Sequence, residues 1–331
     1  MKIGVIGAGA IGGFFAARLA MAGHEVSVLA RGATLGALRE RGLRLESGGR
    51  VQDVNVRASN EPRELGPQEL LLVAVKAPSF PAILAHIETM GTRETAVVPV
   101  VNGIPWWFFL SAPGPLSGYR LKSVDPLGQI ERSLPMERVL GCVVFPSCST
   151  PSPGHVRHGS GNRLVFGEAC GGRSSRAEHV AALCAEAGFD AEASPNLRVQ
   201  VWLKLLGNAC FNPVSLITRA PTDQLIDHPR IYELFVEMMH ETLAVGRAIG
   251  IAAAIEPADR IAVSRKLGTV KTSMLQDAEA GRPVEMGAIL ETLLDVAQVC
   301  GTSTPKLALV HALAHMHAAQ NGLLAGEAGA T

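Results

Sequence analysis

The chain carries no net charge, since thirty basic residues balance thirty acidic ones over 331 positions. That balance leaves no long-range field to gather nucleic acid or an anionic membrane surface. Long apolar runs are missing as well. Stretches such as residues 70–75 are short and stop at Lys76, too little to span a bilayer. Six cysteines are present (Cys142, Cys148, Cys170, Cys184, Cys210 and Cys300), with no C-x-x-C pair and no regular spacing. This usage fits the reduced thiols of a cytosolic chain better than a disulfide framework. No internal repeat is visible, and no basic or cleavable apolar leader precedes the first strand-like run. The expectation is a cytoplasmic, membrane-free protein. Its length, with 47% hydrophobic and 18% charged residues, suits two packed domains.

What is present begins at the N-terminus. Residues 3–6 form a short apolar run of the kind a buried parallel strand needs. Gly7-Ala8-Gly9-Ala10-Ile11-Gly12 follows at once, then a helical stretch to Ala22, a terminating Gly23, and a second strand-like run ending at Leu29. In a G-x-G-x-x-G turn the first glycine permits the tight bend. The second admits a pyrophosphate to the backbone, and the third lets the helix pack closely on the strand. The helix start, including Ala10 and Ile11, turns its amides and positive dipole end toward the phosphates. The full strand–turn–helix–strand context predicts a dinucleotide site.

One further absence selects the dinucleotide. NAD sites place a carboxylate about 20 residues past the glycine motif to hold the ribose 2′-hydroxyl. Here Leu29-Ala30-Arg31-Gly32 has no carboxylate and offers a guanidinium instead. Arg31 suits a 2′-phosphate, because its planar fork pairs with phosphate oxygens. The cofactor expected is NADPH.

Strand-like runs recur at residues 70–75, 96–101 and 139–145, with helical stretches between several of them. That pattern predicts an α/β fold, with an N-terminal Rossmann-type, doubly wound, mostly parallel sheet. A Pro-, Gly- and Ser-rich segment at 111–135 reads as a surface excursion. Residues 154–158 and 163–167 read as two short strands joined by a Gly-rich turn, 174–188 as a helix, and 190–193 as a last strand. After Pro195 apolar residues recur at helical spacing, with helices expected near 230–249, 257–267, 284–300 and 305–319. The division expected is therefore a nucleotide-binding domain over 1–194 and an all-α substrate or dimerisation domain over 195–331. The Gly- and Ala-rich tail at 323–331 is expected to fray. Ligands of doubly wound sheets bind beyond the carboxyl ends of the strands. A helical second domain packed there would supply the substrate-facing groups.

Lys204, Asn208 and Asn212 stand at i, i+4 and i+8 in an otherwise apolar helix and so form one stripe. Partial burial can bring a lysine within reach of general acid work near neutral pH. Ser273, in Thr272-Ser273-Met274-Leu275-Gln276-Asp277, and Glu285, at the opening of the next helix, form a second cluster. Glu285 also suits a helix start for purely dipolar reasons. Lys76 and Asn102-Gly103 follow two strands of the first domain, where the nicotinamide end of a dinucleotide lies.

These residues together resemble the ketopantoate reductases (2-dehydropantoate 2-reductases), over nearly the whole chain. The resemblance rests on GAGAIG at 7–12, the strand-end Lys76, Asn102-Gly103, the K-x3-N-x3-N helix, and TSMLQD with Glu285 downstream. It implies NADPH-dependent reduction of a 2-oxo acid, ketopantoate, to the 2-hydroxy acid, a step of pantothenate synthesis. Lys204 would be the general acid, and Glu285 would hydrogen-bond substrate and set the lysine's surroundings. Asn208, Asn212 and Ser273 would hold the substrate's hydroxyl and carboxylate. Asn102 and Lys76 would line the cofactor–substrate junction. A homodimer is compatible with the apolar helices.

Two departures from the family pattern stand out. Glu285-Met286-Gly287 replaces the usual Glu-Ile-Asp, and Trp106-Trp107-Phe108-Phe109 stands where members have a polar stretch. The aromatic run reads as core, as the lining of a larger apolar pocket, or as an oligomer interface. A related 2-oxo acid or opine-type reductase with a bulkier substrate, or a dinucleotide sensor without catalysis, are the competing readings. His311, His315 and His317 form H-x3-H-x-H but have no accompanying metalloprotease glutamate and no obvious third ligand, so no metal is expected.

Overall fold

A computed structural model of the chain describes residues 1–111 and 113–324. The tail expected to fray lies outside the described residues from position 325 onward. Two compact units emerge: Met1–Val101 with Gln129–Leu197, and Asn102–Gly128 with the chain from Arg198 onward.

The first unit holds the strands β1 (Lys2–Ile6), β2 (Glu25–Leu29), β3 (Leu43–Ser47), β4 (Arg50–Val54), β5 (Arg57–Ser59), β6 (Leu70–Val73), β7 (Ala96–Pro99), β8 (Leu140–Val144), β9 (Ser147–Ser152), β10 (His155–Ser160), β11 (Arg163–Glu168) and β12 (Asp190–Ala193). Five of them form a wholly parallel sheet in the order β5-β2-β1-β6-β7. β1 is central, and its residues from Ile3 to Ile6 are all buried. This burial on both faces is why the strands read as unbroken apolar runs rather than alternating ones. The chain winds outward from β1 to β2 on one side, then returns to β6 on the other. Strand order therefore reverses at β1, and the glycine turn sits at its carboxyl end, where doubly wound sheets take their ligands.

The helix Ala10–Met21 buries Phe14, Phe15, Ala16, Ala17 and Leu19. It is apolar nearly all round because a second sheet, β4-β3-β10-β9, also packs on it. The Phe14 ring stacks on His158 of β10 at 4.5 Å.

The β3–β4 hairpin was not foreseen. β3 buries Leu43 and Leu45 between polar residues, β4 is almost wholly exposed, and cohesion comes partly from Arg44 paired to Asp53 at 2.7 Å. Gly48 and Gly49 take φ of +57° and +75° in its two-residue turn, a conformation that glycine adopts without strain. The two short strands expected at 154–158 and 163–167 are present and belong to different sheets. β10 joins β9 and β3, whereas β11 joins β8 antiparallel and β12 parallel. Leu164, Val165 and Phe166 are fully buried, so β11 needs neighbours on both edges and cover on both faces.

The second unit contains helices Leu197–Thr218, Thr222–Asp227, Pro229–Ala248, Pro257–Arg265, Ser273–Glu279, Thr292–Val299 and Pro305–Gln320, with no strand among the described residues. Proline at the first helical position starts three of them, where its missing N–H costs nothing. None of the described helices is long and apolar enough to cross a membrane.

Asn102–Gly128 clusters with these helices rather than with the sheet it follows. The cause is the aromatic run. Trp106, Trp107, Phe108 and Phe109 are at most 4% exposed, and Phe108 contacts Phe109, Trp107 and the Trp202 ring of the Leu197–Thr218 helix. Each such burial contributes roughly 1.5–3 kcal/mol before entropy is counted. Arg198 covers the Phe108 ring at 4.9 Å and donates to the Pro113 carbonyl. The run is core, not an exposed patch.

Candidate active site

The nucleotide seat follows from backbone geometry at three glycines. Gly7 has φ +98°, and a Cβ there would approach the Ala74 carbonyl oxygen to 2.7 Å. A Cβ on Gly12 would come within 2.0 Å of the Gly7 carbonyl oxygen, so no side chain fits where the helix closes on the turn. Gly9 is the contrast: a Cβ there would meet nothing within 4 Å. Gly9 is also the N-cap of the Ala10–Met21 helix, with no side chain capping it and no acidic residue in the first turn. Room beside the second glycine and uncapped amides at Ala10 and Ile11 are what a pyrophosphate requires. Arg31 caps the following helix, Gly32–Arg41, in an extended conformation and is exposed, two residues past β2. The residues present fit NADPH. Lys76, three residues past β6, opens the turn Ala77–Ser79 in the same unit.

In the second unit, Lys204 and Asn208 are half-buried and Asn212 is 4% exposed, all on the Leu197–Thr218 helix. The stripe is therefore not a solvated surface. The back of this helix is fixed by two contacts. Trp202 lies on Gly246, donating its indole N–H to the Thr242 carbonyl at 3.2 Å. The Arg260 guanidinium packs against Gly207, and burial holds its pKa down.

The stripe meets two other segments. Lys204 Nζ donates to Asn102 Oδ1 at 2.8 Å, and Asn102 Nδ2 faces Glu285 Oε2 at a longer 3.4 Å. One carboxamide thus presents its acceptor to the cation and its donor to the carboxylate. The residues are 102 and 183 positions apart in sequence. Asn212 Nδ2 has no hydrogen-bond partner among the described residues. A buried amide without a partner costs about 1–3 kcal/mol until a polar group arrives.

Ser273 begins the Ser273–Glu279 helix and is exposed. Its neighbour Thr272 is tied to the stripe: Ser215 Oγ contacts Thr272 Oγ1 at 2.5 Å and donates to the Asn212 carbonyl at 3.0 Å.

Glu285 stands immediately before a helical run that ends at Val299, as expected for 284–300, but the first turn of that run is not α-helical. It precedes a π-helical turn, Gly287–Glu291, which runs into the Thr292–Val299 helix. Such turns carry one residue more per hydrogen-bonded ring and recur at functional sites. The Ala288 carbonyl accepts from Ile104 N–H at 2.8 Å. Gly103, at φ +81°, lies so close that a Cβ would come within 2.0 Å of the same oxygen. Sequence patterns gave no hint of this turn or of its partners Ser123 and Thr292. At Gly287, the place of an absent side chain is bordered by the Ser123 carbonyl and the Glu291 carboxylate, at 3.4 and 3.6 Å from a built Cβ. His311, one of the C-terminal histidines, instead faces Glu291 at 3.7 Å.

A nucleotide-binding sheet with an arginine after its second strand, and a lysine and carboxylate sharing one amide, make the equipment of a nicotinamide-dependent oxidoreductase. Comparison with known proteins narrows the class. The family model described as Ketopantoate reductase PanE/ApbA matches residues 3–171, and its C-terminal counterpart matches residues 196–318. A 2-dehydropantoate 2-reductase of Mesorhizobium japonicum is 39% identical over 97% of this chain and 99% of its own length. A putative ketopantoate reductase from Ralstonia solanacearum is 43% identical and superimposes with a TM-score of 0.93, covering 97% of this chain and 99% of that one. D-mandelate dehydrogenase, solved with NADH and anilino(oxo)acetate, shares the fold at 20% identity and a TM-score of 0.84, covering 98% of this chain and 100% of that one.

The chain belongs to the ketopantoate reductase family. It is an NADP-dependent oxidoreductase acting on CH–OH donors, with a nicotinamide dinucleotide as cofactor and a 2-oxo acid as the class of substrate.

Proposed function

We propose that the substrate is 2-dehydropantoate, reduced to pantoate, and that Lys204, Asn102 and Glu285 carry the chemistry. The observation behind this reading is the hydrogen-bonded row of those three residues, together with a buried Asn212 amide nitrogen, on the same helix as Lys204, that has no hydrogen-bond partner among the described residues. NADPH held at the glycine turn would supply a hydride to the carbonyl carbon. As the C=O bond becomes C–O⁻, the Lys204 ammonium stabilises the developing charge and then gives up a proton, forming the hydroxyl. Asn102 orients the ammonium by accepting one of its hydrogens, and the same amide links it to Glu285. Asn208, Asn212 and Ser273 are the donors proposed for the substrate's hydroxyl and carboxylate. Gly7, Gly9, Gly12, Arg31 and Lys76 are the residues proposed to hold the dinucleotide.

The place left by Gly287 is bordered by Ser123 and Glu291, and the aromatic run is core. Neither departure from the family pattern therefore enlarges the substrate region on its own. The six cysteines, with no disulfide among the described residues, fit a reducing, cytoplasmic setting.

The test is loss of reduced-nicotinamide absorbance with 2-dehydropantoate beside bulkier 2-oxo acids, for the wild type and Lys204→Ala. Turnover of 2-dehydropantoate that falls by about 10²-fold or more in the variant is the expected result. Activity only on other 2-oxo acids would reassign the substrate, and a variant matching wild type would remove Lys204 from the proton step.

A further inference from the structure

The Thr292 side chain lies outside the catalytic row yet is fully buried, and its hydroxyl makes two contacts. It donates to the Gly287 carbonyl at 2.9 Å and meets Ser123 Oγ at 2.7 Å. The Thr292 backbone N–H closes on the same Gly287 carbonyl. That bond spans five residues, which is the hydrogen-bond pattern of a π turn. The side chain reinforces it.

The π turn has a structural consequence one residue on. With the Thr292 amide spent on Gly287, the Ala288 carbonyl accepts the Ile104 amide of the loop bearing Asn102. Gly103 sits flat on the Ala288–Ile289 peptide, with built-Cβ distances of 2.0 Å to the carbonyl oxygen and 2.9 Å to the Ile289 nitrogen. Asn102 is the next residue back, and its amide reaches Lys204 on one side and Glu285 on the other. Glu285 in turn lies two residues before the π turn begins. Both segments that flank Lys204 are thus registered by the same turn.

We propose that Thr292 is a positioning residue for the reduction: its hydroxyl holds the π turn that seats the Asn102–Gly103 loop and thereby sets Asn102 between Lys204 and Glu285. Ser123 is its outer partner and secures the 102–128 segment to the same point. The inference rests on the proposed role of Lys204. It makes a claim of its own, that one buried hydroxyl outside the reacting groups tunes turnover.

Thr292→Val keeps shape and β-branching but removes the hydroxyl, and Thr292→Ser keeps the hydroxyl. In T292V, kcat with the preferred 2-oxo acid falls by about 10-fold to 100-fold, as expected when a catalytic group is misplaced by a fraction of an ångström to an ångström, while the KM for NADPH holds. T292S recovers most of the lost kcat. A purely structural role would instead lower the yield of folded enzyme or its melting temperature and leave kcat per folded molecule unchanged. A second readout needs no substrate. Trace acetylation of Lys204, followed by peptide mass spectrometry, should quicken in T292V, because the amine is less firmly held by Asn102. Wild-type kcat with unchanged labelling in T292V, or failure of T292S to rescue, overturns the proposal. Should T292V not fold, Ser123→Ala removes the outer hydrogen bond and must show the same kcat-selective loss in milder form, or the proposal falls. A wild type that reduces no 2-oxo acid defeats the functional reading alone. The labelling comparison then still decides the positioning claim.

Discussion

Lys204 donates to Asn102 across 2.8 Å, which couples the only stripe lysine of a long buried helix to an amide that follows the edge strand of the parallel sheet. Because the same amide also faces Glu285, its two ends are not interchangeable. Asn102→Ala should lower kcat/KM for the 2-oxo acid by about 10²-fold to 10³-fold, the range seen when a preorganised donor or acceptor is removed. Asn102→Asp keeps an acceptor for Lys204 but sets a carboxylate against Glu285, so it should be no better than the alanine variant at neutral pH. Steady-state kinetics on both variants checks this, and an Asp variant near wild type would contradict the shared-amide arrangement.

Two glycines of the nucleotide turn should respond in opposite ways. Gly9 has φ −79° and open space around it, so Gly9→Val should fold normally and lose NADPH binding. Gly12→Ala must push a methyl group into the Gly7 carbonyl and should destabilise the first unit by about 3 kcal/mol. Thermal melts with and without NADPH separate the two outcomes.

Arg31 stands two residues beyond β2 at the head of a helix with no acidic residue in its first turn. Arg31→Ala should weaken NADPH by about 10-fold to 100-fold, the worth of a charge-assisted contact, and leave NADH nearly untouched. Dissociation constants for both cofactors decide it. Equal losses would detach Arg31 from the 2′-phosphate.

Glu168 predicts part of the acid limb of stability. Burial pushes its carboxyl up, but hydrogen bonds from Arg176 and Ser174 outweigh burial and hold it below the usual carboxylate value. A lowered folded pKa means stabilisation is present above the unfolded value and is lost as pH falls through the folded one. Glu168→Gln should therefore cost about 1–3 kcal/mol at pH 7 and flatten the decline in stability on acidification. Denaturant unfolding at several pH values measures both.

The parts legible in the sequence were those whose cause is local. Gly7, Gly9 and Gly12 announce a turn by their spacing alone: Gly12 must yield to the Gly7 carbonyl, and Gly9 leaves open the space beside the turn. Lys204, Asn208 and Asn212 announce a face because helical period alone aligns them. The joining of Asn102 to Lys204 and Glu285 was not derivable from spacing, since it depends on three segments far apart in the chain. It entered only through resemblance to a family. The π turn left no trace, because Met286-Gly287-Ala288-Ile289-Leu290 reads equally well as the start of an α-helix. β4 was missed because an exposed strand of Arg, Gln and Asp lacks the apolar alternation that marks a half-buried one. The place of 102–128 was missed because aromatic residues say that they will be buried, not against what.

That segment also bears on how such a chain can be divided. The polypeptide passes from one unit to the other at residues 101/102, 128/129 and 197/198. A single break at the last junction would strip the helices of Trp106 to Phe109, and of Asn102 with them. Neither half is a cassette that could be exchanged by end-to-end fusion. A gene assembled from the nucleotide-binding half of one relative and the helical half of another must carry residues 102–128 with the helices, or it will encode two incomplete cores.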